Sequence, residues 1–332
     1  MTIFRVLHLS DLHFAATAEA VNFVDVPRSQ LATEMVSRLR KKTTEITFRY
    51  PTTYDPSAAE DIAIVAFLDT ELDLILISGD ISTTGTRSDL VVAKEFITAT
   101  PARGWLSERN FPTLVAANVP IALLPGNHDR FRRASFPFGT GGTEFDEQFN
   151  EHWWVGQNAS LLGLLKKDSD WIAFVGADFT LHEKTLDPRE EAGRGHVSEH
   201  ILKSLRLLTK RVRESVQQRY EKSPAVAWVV HFAPEFEGLD EFLVLENDAV
   251  LIAAAAEDSV NHILCGHTHE KRVYQARTQR SVTVHCAGAA SAYKAPQGNV
   301  VQIVEFHAEQ GVIQKVVTQP IAVGAPTHHT AT

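Results

Sequence analysis

Short apolar runs recur along the chain, and five of them end in a cluster of polar residues. Residues 4–9 run into Ser10-Asp11-Leu12-His13, residues 72–77 into Ser78-Gly79-Asp80, and residues 119–124 into Pro125-Gly126-Asn127-His128-Asp129. Residues 225–230 end at His231, and residues 262–265 at Gly266-His267-Thr268-His269. The first four runs are rich in Val, Ile, Leu and Phe and have the length of buried strands. Helical patterns lie between several of them. Asp55-Pro56 has the form of a helix cap and first turn, predicting a helix over 57–70. Leu205, Leu208, Val212 and Val216 predict another over 203–218. Strands alternating with helices make an α/β protein. A second β-rich set covers 171–175, 281–285, 300–306 and 312–318, with Gly and polar turns between its last members, as antiparallel neighbours have. Two mixed sheets packed as a sandwich, with helices on the outer faces, accommodate both sets.

Residues 1–321 read as a single domain with inserts near 14–52 and 131–150, a charged loop over 182–196, and a flexible tail over 322–332. The inserts suit a lid or a contact between copies in a homo-oligomer. Phe145, Phe149, Trp153 and Trp154 suggest a packed helix within the second.

Composition narrows the class. Of 332 residues, 44% are hydrophobic and 22% charged, which excludes collagen-like, coiled-coil and wholly disordered chains. No apolar run reaches the roughly 18 residues of a membrane span. The N-terminus enters a strand pattern directly, with no secretory signal, so a cytoplasmic protein is expected. The net charge of -9 weighs against a partner such as long nucleic acid, which is gripped through phosphate neutralisation. Two cysteines, Cys265 and Cys286, make no disulfide framework. The 15 histidines are the oddity. His8, His262 and His285 fall inside apolar runs and read as packed, hydrogen-bonded imidazoles.

In open α/β sheets, ligands bind beyond the carboxyl ends of strands, where residues distant in sequence meet. The converging set here is Asp11, His13, Asp80, Asn127, His128, His231, His267 and His269. These are oxygen and nitrogen donors without thiolate, a set suited to Mn, Fe, Zn or Co rather than to a structural cysteine–zinc site. Seven ligand candidates are too many for one ion and suit two that share a carboxylate, about 4 Å apart. Two divalent ions, two aspartates and a bridging hydroxide leave a charge of about +1, which favours an anionic phosphate.

In these motifs the sequence resembles the calcineurin-like metallophosphoesterase superfamily. Its pattern of D-x-H, GD, GNH[DE], a lone H and GHxH appears as Asp11-Leu12-His13, Gly79-Asp80, Gly126-Asn127-His128-Asp129, His231 and Gly266-His267-Thr268-His269. The resemblance implies a four-layer αββα fold and two divalent or trivalent metal ions. Asp11, His13, Asp80 and His269 would hold the first ion. Asp80, Asn127, His231 and His267 would hold the second, with Asp80 bridging. It implies hydrolysis of a small phosphate ester by a metal-bridging hydroxide, with His128 assisting the leaving group and Asp129 orienting part of its motif.

Departures from the pattern narrow the subfamily. His13 stands where purple acid phosphatases have Gly, and no Tyr follows Asp80. Asp80-Ile81-Ser82-Thr83 lacks the Asp-Arg-Gly extension of Ser/Thr protein phosphatases. The motif forms look more like bacterial cyclic-nucleotide phosphodiesterases. A phosphodiesterase is therefore expected, with a phosphomonoesterase or nuclease on the same centre as the alternative and a non-catalytic scaffold behind both. Arg130, Arg132 and Arg133 are either charges of a solvated loop or, in one of them, a grip on a substrate phosphate or nucleobase.

Overall fold

The structure is a computed structural model that describes residues 1–16, 54–98, 113–131, 142–151, 153, 158–180, 193–239, 243–292, 295 and 297–324. Most of the expected insert at 14–52, residues 132–141 of the second, and the end of the tail lie outside these residues, and with them the expected lid or dimer contact.

One sheet has the strand order β13 (Val312–Val323), β12 (Asn299–Glu309), β1 (Thr2–Leu9), β2 (Leu74–Ile77), β3 (Ile121–Leu123). Strands β1, β2 and β3 are parallel, while β12 and β13 complete the sheet as an antiparallel hairpin. The other sheet runs β10 (Arg272–Gln275), β11 (Thr283–Cys286), β9 (His262–Cys265), β7 (Ala225–Val229), β5 (Asp170–Ala177), β4 (Ala159–Lys167). Its four inner strands are parallel, and its two edge strands run against them. A short ladder joins β6 (Gly195–His196) to β8 (Leu245–Glu246).

Among the described residues the helices are α1 (Pro56–Leu68), α2 (Arg87–Thr98), α3 (Glu144–Gln148), α4 (Glu199–Tyr220) and α5 (Asp248–Glu257). Asp55 caps α1, its Oδ1 accepting from the Ser57 and Ala58 amides at 2.9 and 3.4 Å, with Pro56 at the first position. Neither α2 nor α5 announces itself in sequence. The Ala-rich α5 in particular shows no polar–apolar alternation of helical period to read.

Strand β7 is buried along its whole length, and its alternation places it in the layers. Ala225, Ala227 and Val229 join a cluster with β1, β2, α1 and α2, including Val6, Ile75 and Ala59. Val226 and Trp228 face the opposite way, against Ile201 and Leu205 of α4 and Leu251 and Ile252 of α5. The architecture is thus helix, sheet, sheet, helix. The Trp228 indole donates to Thr209 Oγ1 at 2.9 Å, satisfying its one polar atom inside that layer.

The packed histidines are neutral by construction. The Gln302 amide donates to His8 Nδ1 at 2.8 Å, so His8 Nε2–H donates to Ser78 Oγ at 2.9 Å. Burial lowers His8 to about 3 and His262 to about 4, and burial with the neighbouring His262 and His8 lowers His285 to about 3. The unfolded chain takes up these protons near 6.5, so stability is lost as pH falls from about 6.5 toward the folded values. By pH 5 the loss is about 2 kcal/mol for each such histidine. Urea unfolding in chelator should therefore weaken from pH 7.5 to 5. The His285→Gln variant should show a slope shallower by about 1.4 kcal/mol per pH unit, and an unchanged slope would refute the assignment.

Candidate metal centre

The five polar clusters follow the C-terminal ends of β1, β2, β3, β7 and β9, where the two sheets meet. The turn after β1 hydrogen-bonds to the turn after β2: the Asp11 amide donates to Gly79 O and the His13 amide to Asp80 O, both at 3.0 Å. The cost of this convergence is visible in the backbone. Asp11, His13, Asp80, His267 and His269 all have left-handed φ, between 52° and 72°. Each such residue costs about 1–2 kcal/mol, and such strain concentrates where side chains must be aimed. Two glycines make room. Gly79 has φ +105°, and a Cβ there would meet the His231 ring at 2.5 Å. A Cβ on Gly126 would lie 2.2 Å from Asp80 Oδ1.

The ligand candidates form groups of converging atoms, each group within 4.8 Å: Asp11, His13 and His269; His13, Asp80 and His128; Asp80, His231 and His267. In the first, His13 Nε2 and His269 Nε2 are 3.0 Å apart, and Asp11 Oδ1 is 3.4 Å from His269 Nε2. In the last, His231 Nε2 is 3.2 Å from Asp80 Oδ2 and 3.0 Å from Asn127 Oδ1. Asp80 Oδ2 also lies 4.0 Å from both His13 Nε2 and His128 Nε2, so one carboxylate borders every group.

Backbone carbonyls set the tautomers. His231 Nδ1–H donates to Ser78 O at 2.8 Å, His267 Nε2–H to Leu243 O at 3.1 Å, and His128 Nδ1–H to Thr83 O at 2.7 Å. The opposite nitrogen of each ring is left as the lone pair. Acceptors therefore face acceptors in a buried space, and Asp11 Oδ1 and His13 Nδ1 are buried with no hydrogen-bond partner. Such a set is costly unless positive charge answers it. The oxygen and nitrogen donors and the orphaned Asp11 oxygen fit divalent or trivalent ions.

The ionisation states agree. Burial pushes Asp11 up, but His269 and His231 overcome it and hold the carboxyl at about 2. Asp80 is likewise held well below the usual carboxylate range, His231 and His128 outweighing burial. Burial lowers His231, but Asp80 lifts it to about 9, so a proton and a cation are alternatives at the same point. Burial takes His267 down to about 3, keeping it a neutral donor.

Asp129 and Arg130 take definite partners here, and the reading of Arg130 changes. Asp129 is buried and touches no open space. Its Oδ1 accepts from the Ser82 amide and hydroxyl at 2.8 and 2.7 Å, and its Oδ2 from the Ile81 and Gly126 amides at 3.1 and 2.9 Å. It ties the turn after Asp80 to the turn carrying Asn127, in keeping with the orienting task that the motif implied. Arg130 is 1% exposed and paired with Asp146 and Asp178, so it is no substrate grip. Arg132 and Arg133 lie outside the described residues. The carbonyls of Ser78, Thr83 and Leu243 escaped sequence reasoning because a backbone oxygen has no residue-type signature.

The model of the calcineurin-like phosphoesterase family matches residues 4–271, and the chain belongs to that family. It is a phosphoesterase whose His and Asp side chains are positioned to bind metal ions. Among solved structures, a dimetal phosphatase from Danio rerio aligns over 97% of this chain and 96% of its own, with 13% identity and a TM-score of 0.54. GAP50, the anchor in the inner membrane complex of Plasmodium, aligns over 97% and 90%, with 11% identity and a TM-score of 0.46. The phosphopantetheinyl hydrolase of Mycobacterium tuberculosis aligns over 86% and 89%, with 14% identity and a TM-score of 0.41. At such identities the likeness is one of fold. No curated protein matches the sequence. Among the described residues no helix is long and apolar enough to cross a membrane.

If the donors converge as described, Mn²⁺ at 100 times its dissociation constant should stabilise the protein by about 2.7 kcal/mol in thermal unfolding. Gly126→Ala should lose most of that increment while still folding. A variant that keeps it would show that the Asp80 approach is not needed.

Proposed function

We propose that the chain is a dinuclear metal-dependent phosphoesterase acting on small phosphodiesters, cyclic nucleotides among them. One observation carries the reading: the buried Asp80 carboxylate borders two groups of imidazole and oxygen donors at once. Asp11, His13, Asp80 and His269 would hold one ion, and Asp80, Asn127, His231 and His267 the other. When bound, the metals supply positive charge that acidifies water and polarises phosphoryl oxygens.

The rest is done by the chain. The Ser78 and Leu243 carbonyls fix the His231 and His267 rings, so little reorganisation accompanies the reaction. Asp11 and Asp80 offset only part of the ionic charge, leaving the site attractive to an anion. His128 is the proton donor. Thr83 O holds its Nδ1–H, so Nε2 is the atom that carries a second proton and hands it to the departing oxygen. Its ring is held edge-on against His13 at 4.7 Å, and its side chain is 11% exposed, enough to be reached. The diester preference is supported by the motif forms and by Arg130: its guanidinium is turned to Asp146 and Asp178, away from any second phosphate charge.

The test is turnover of bis-p-nitrophenyl phosphate, p-nitrophenyl phosphate and single-stranded DNA with added Mn²⁺. The diester should be cleaved fastest, chelator should abolish turnover, and His267→Ala should lower it about 100-fold or more. Full activity of His267→Ala in chelator would sink the metal mechanism, and a preference for the monoester would sink the diester assignment.

A further inference from the structure

Arg130 follows the GNHD motif directly and is among the largest fully buried side chains of the protein. A guanidinium is taken out of water only where its fork is answered, and here three segments answer it. Its Nε donates to Asp178 Oδ2 at 2.8 Å, just beyond β5 of the second sheet. Its Nη2 donates to Asp146 Oδ1 of α3 at 2.8 Å, and its Nη1 to Gly142 O at 3.1 Å. Asp178 is itself tethered, accepting from the Thr180 amide at 3.0 Å and from the Thr180 hydroxyl. The Gly142 amide returns a bond to Arg130 O at 2.8 Å, so the residue is held by backbone as well as side chain.

The same residue closes the single 3-10 turn His128–Arg130 that follows β3 of the first sheet. Within it the Arg130 amide donates to Asn127 O at 3.2 Å, and Phe131, next in the chain, packs on the His128 ring at 4.5 Å. His128 therefore sits on a turn of three residues whose last member is anchored across the sandwich. The bond of its ring to Thr83 O sets the tautomer; the His128 amide and the Asp129 carboxylate tie the turn to Asp80, Ile81 and Ser82 of the first sheet, and Arg130 supplies its tie to the second sheet.

We propose that Arg130 is a positioning residue for the proposed reaction: its buried fork clamps the turn bearing His128 to the second sheet and so sets where His128 Nε2 meets the leaving oxygen. It touches neither substrate nor reacting atoms. This rests on the role of His128 given above. A lysine keeps the charge but has no fork, and reaches one of the two carboxylates.

The consequence is specific to the leaving group. A nitrophenolate departs without a proton, whereas the alkoxide of a cyclic nucleotide needs one. In the Mn²⁺-loaded protein, Arg130→Lys and His128→Asn should each lower kcat on a cyclic nucleotide by about 100-fold, within the usual range for general acid catalysis. Turnover of bis-p-nitrophenyl phosphate should fall only about 5-fold or less, with KM near the wild-type value and metal content unchanged. If Arg130→Lys does not fold, Asp146→Asn breaks one arm of the fork and should give the same skew. A second readout needs no turnover. In metal-free protein labelled at histidine, the His128 Nδ1–H resonance should be protected from exchange in the wild type and lost in Arg130→Lys. Equal losses on both substrates, or an unchanged resonance, would overturn the proposal while wild-type turnover upheld the phosphodiesterase reading. A wild type inactive on both substrates would overturn that reading and this proposal with it.

Discussion

The molecule is organised around a buried carboxylate that must be approached from two sheets. Asp80 Oδ1 accepts from the His128 amide at 2.9 Å, and Oδ2 stands 3.2 Å from His231 Nε2. His128 follows a strand of the first sheet and His231 a strand of the second. A single ionised group thus joins the two halves of the sandwich. An isolated charge at that depth would be prohibitive, and it is tolerated because imidazoles and a main-chain amide surround it.

That demand accounts for features that are otherwise unrelated. The left-handed backbone at Asp11, His13, Asp80, His267 and His269 aims short side chains at a common point, and the turn-to-turn bonds from Asp11 and His13 hold the strained conformations in place. The glycines ahead of Asp80 and Asn127 are there because a methyl group would occupy space that His231 and Asp80 already fill. Asp129 uses all four of its hydrogen bonds on the two turns that flank Asp80. Function and folding are therefore coupled: the strain at the centre is sustained by packing on either side, where β7 is buried on both faces.

Polar groups inside the sandwich follow two rules. His8, His262 and His285 are neutral and hydrogen-bonded, as Gln302, His8 and Ser78 illustrate. The charged groups are paired, as Arg130 is with Asp146 and Asp178. Both rules come from the same desolvation cost, yet they yield different sensitivities: neutral histidines make the fold sensitive to acid, whereas the paired arginine makes the placement of one turn sensitive to substitution.

The strands before each motif, the cap at Asp55, the helix near 203–218 and the layered α/β architecture were legible in the chain, because burial on one or both faces imposes a short period on residue type. The ligand candidates were legible for a similar reason: strand ends in a parallel sheet point one way, so polar residues there share a destination. The helices Arg87–Thr98 and Asp248–Glu257 were not, since short helices gain their stability from packing more than from their own pattern. Nor was the choice among identical chemistries. Arg130 could grip a phosphate or pair with two aspartates, and its sequence position suits either. Local sequence determined which atoms are available and which strand carries them. Only the tertiary structure decided which carbonyl sets each imidazole and which carboxylates hold Arg130, because those partners stand as far as 153 residues apart and meet only when the sheets pack.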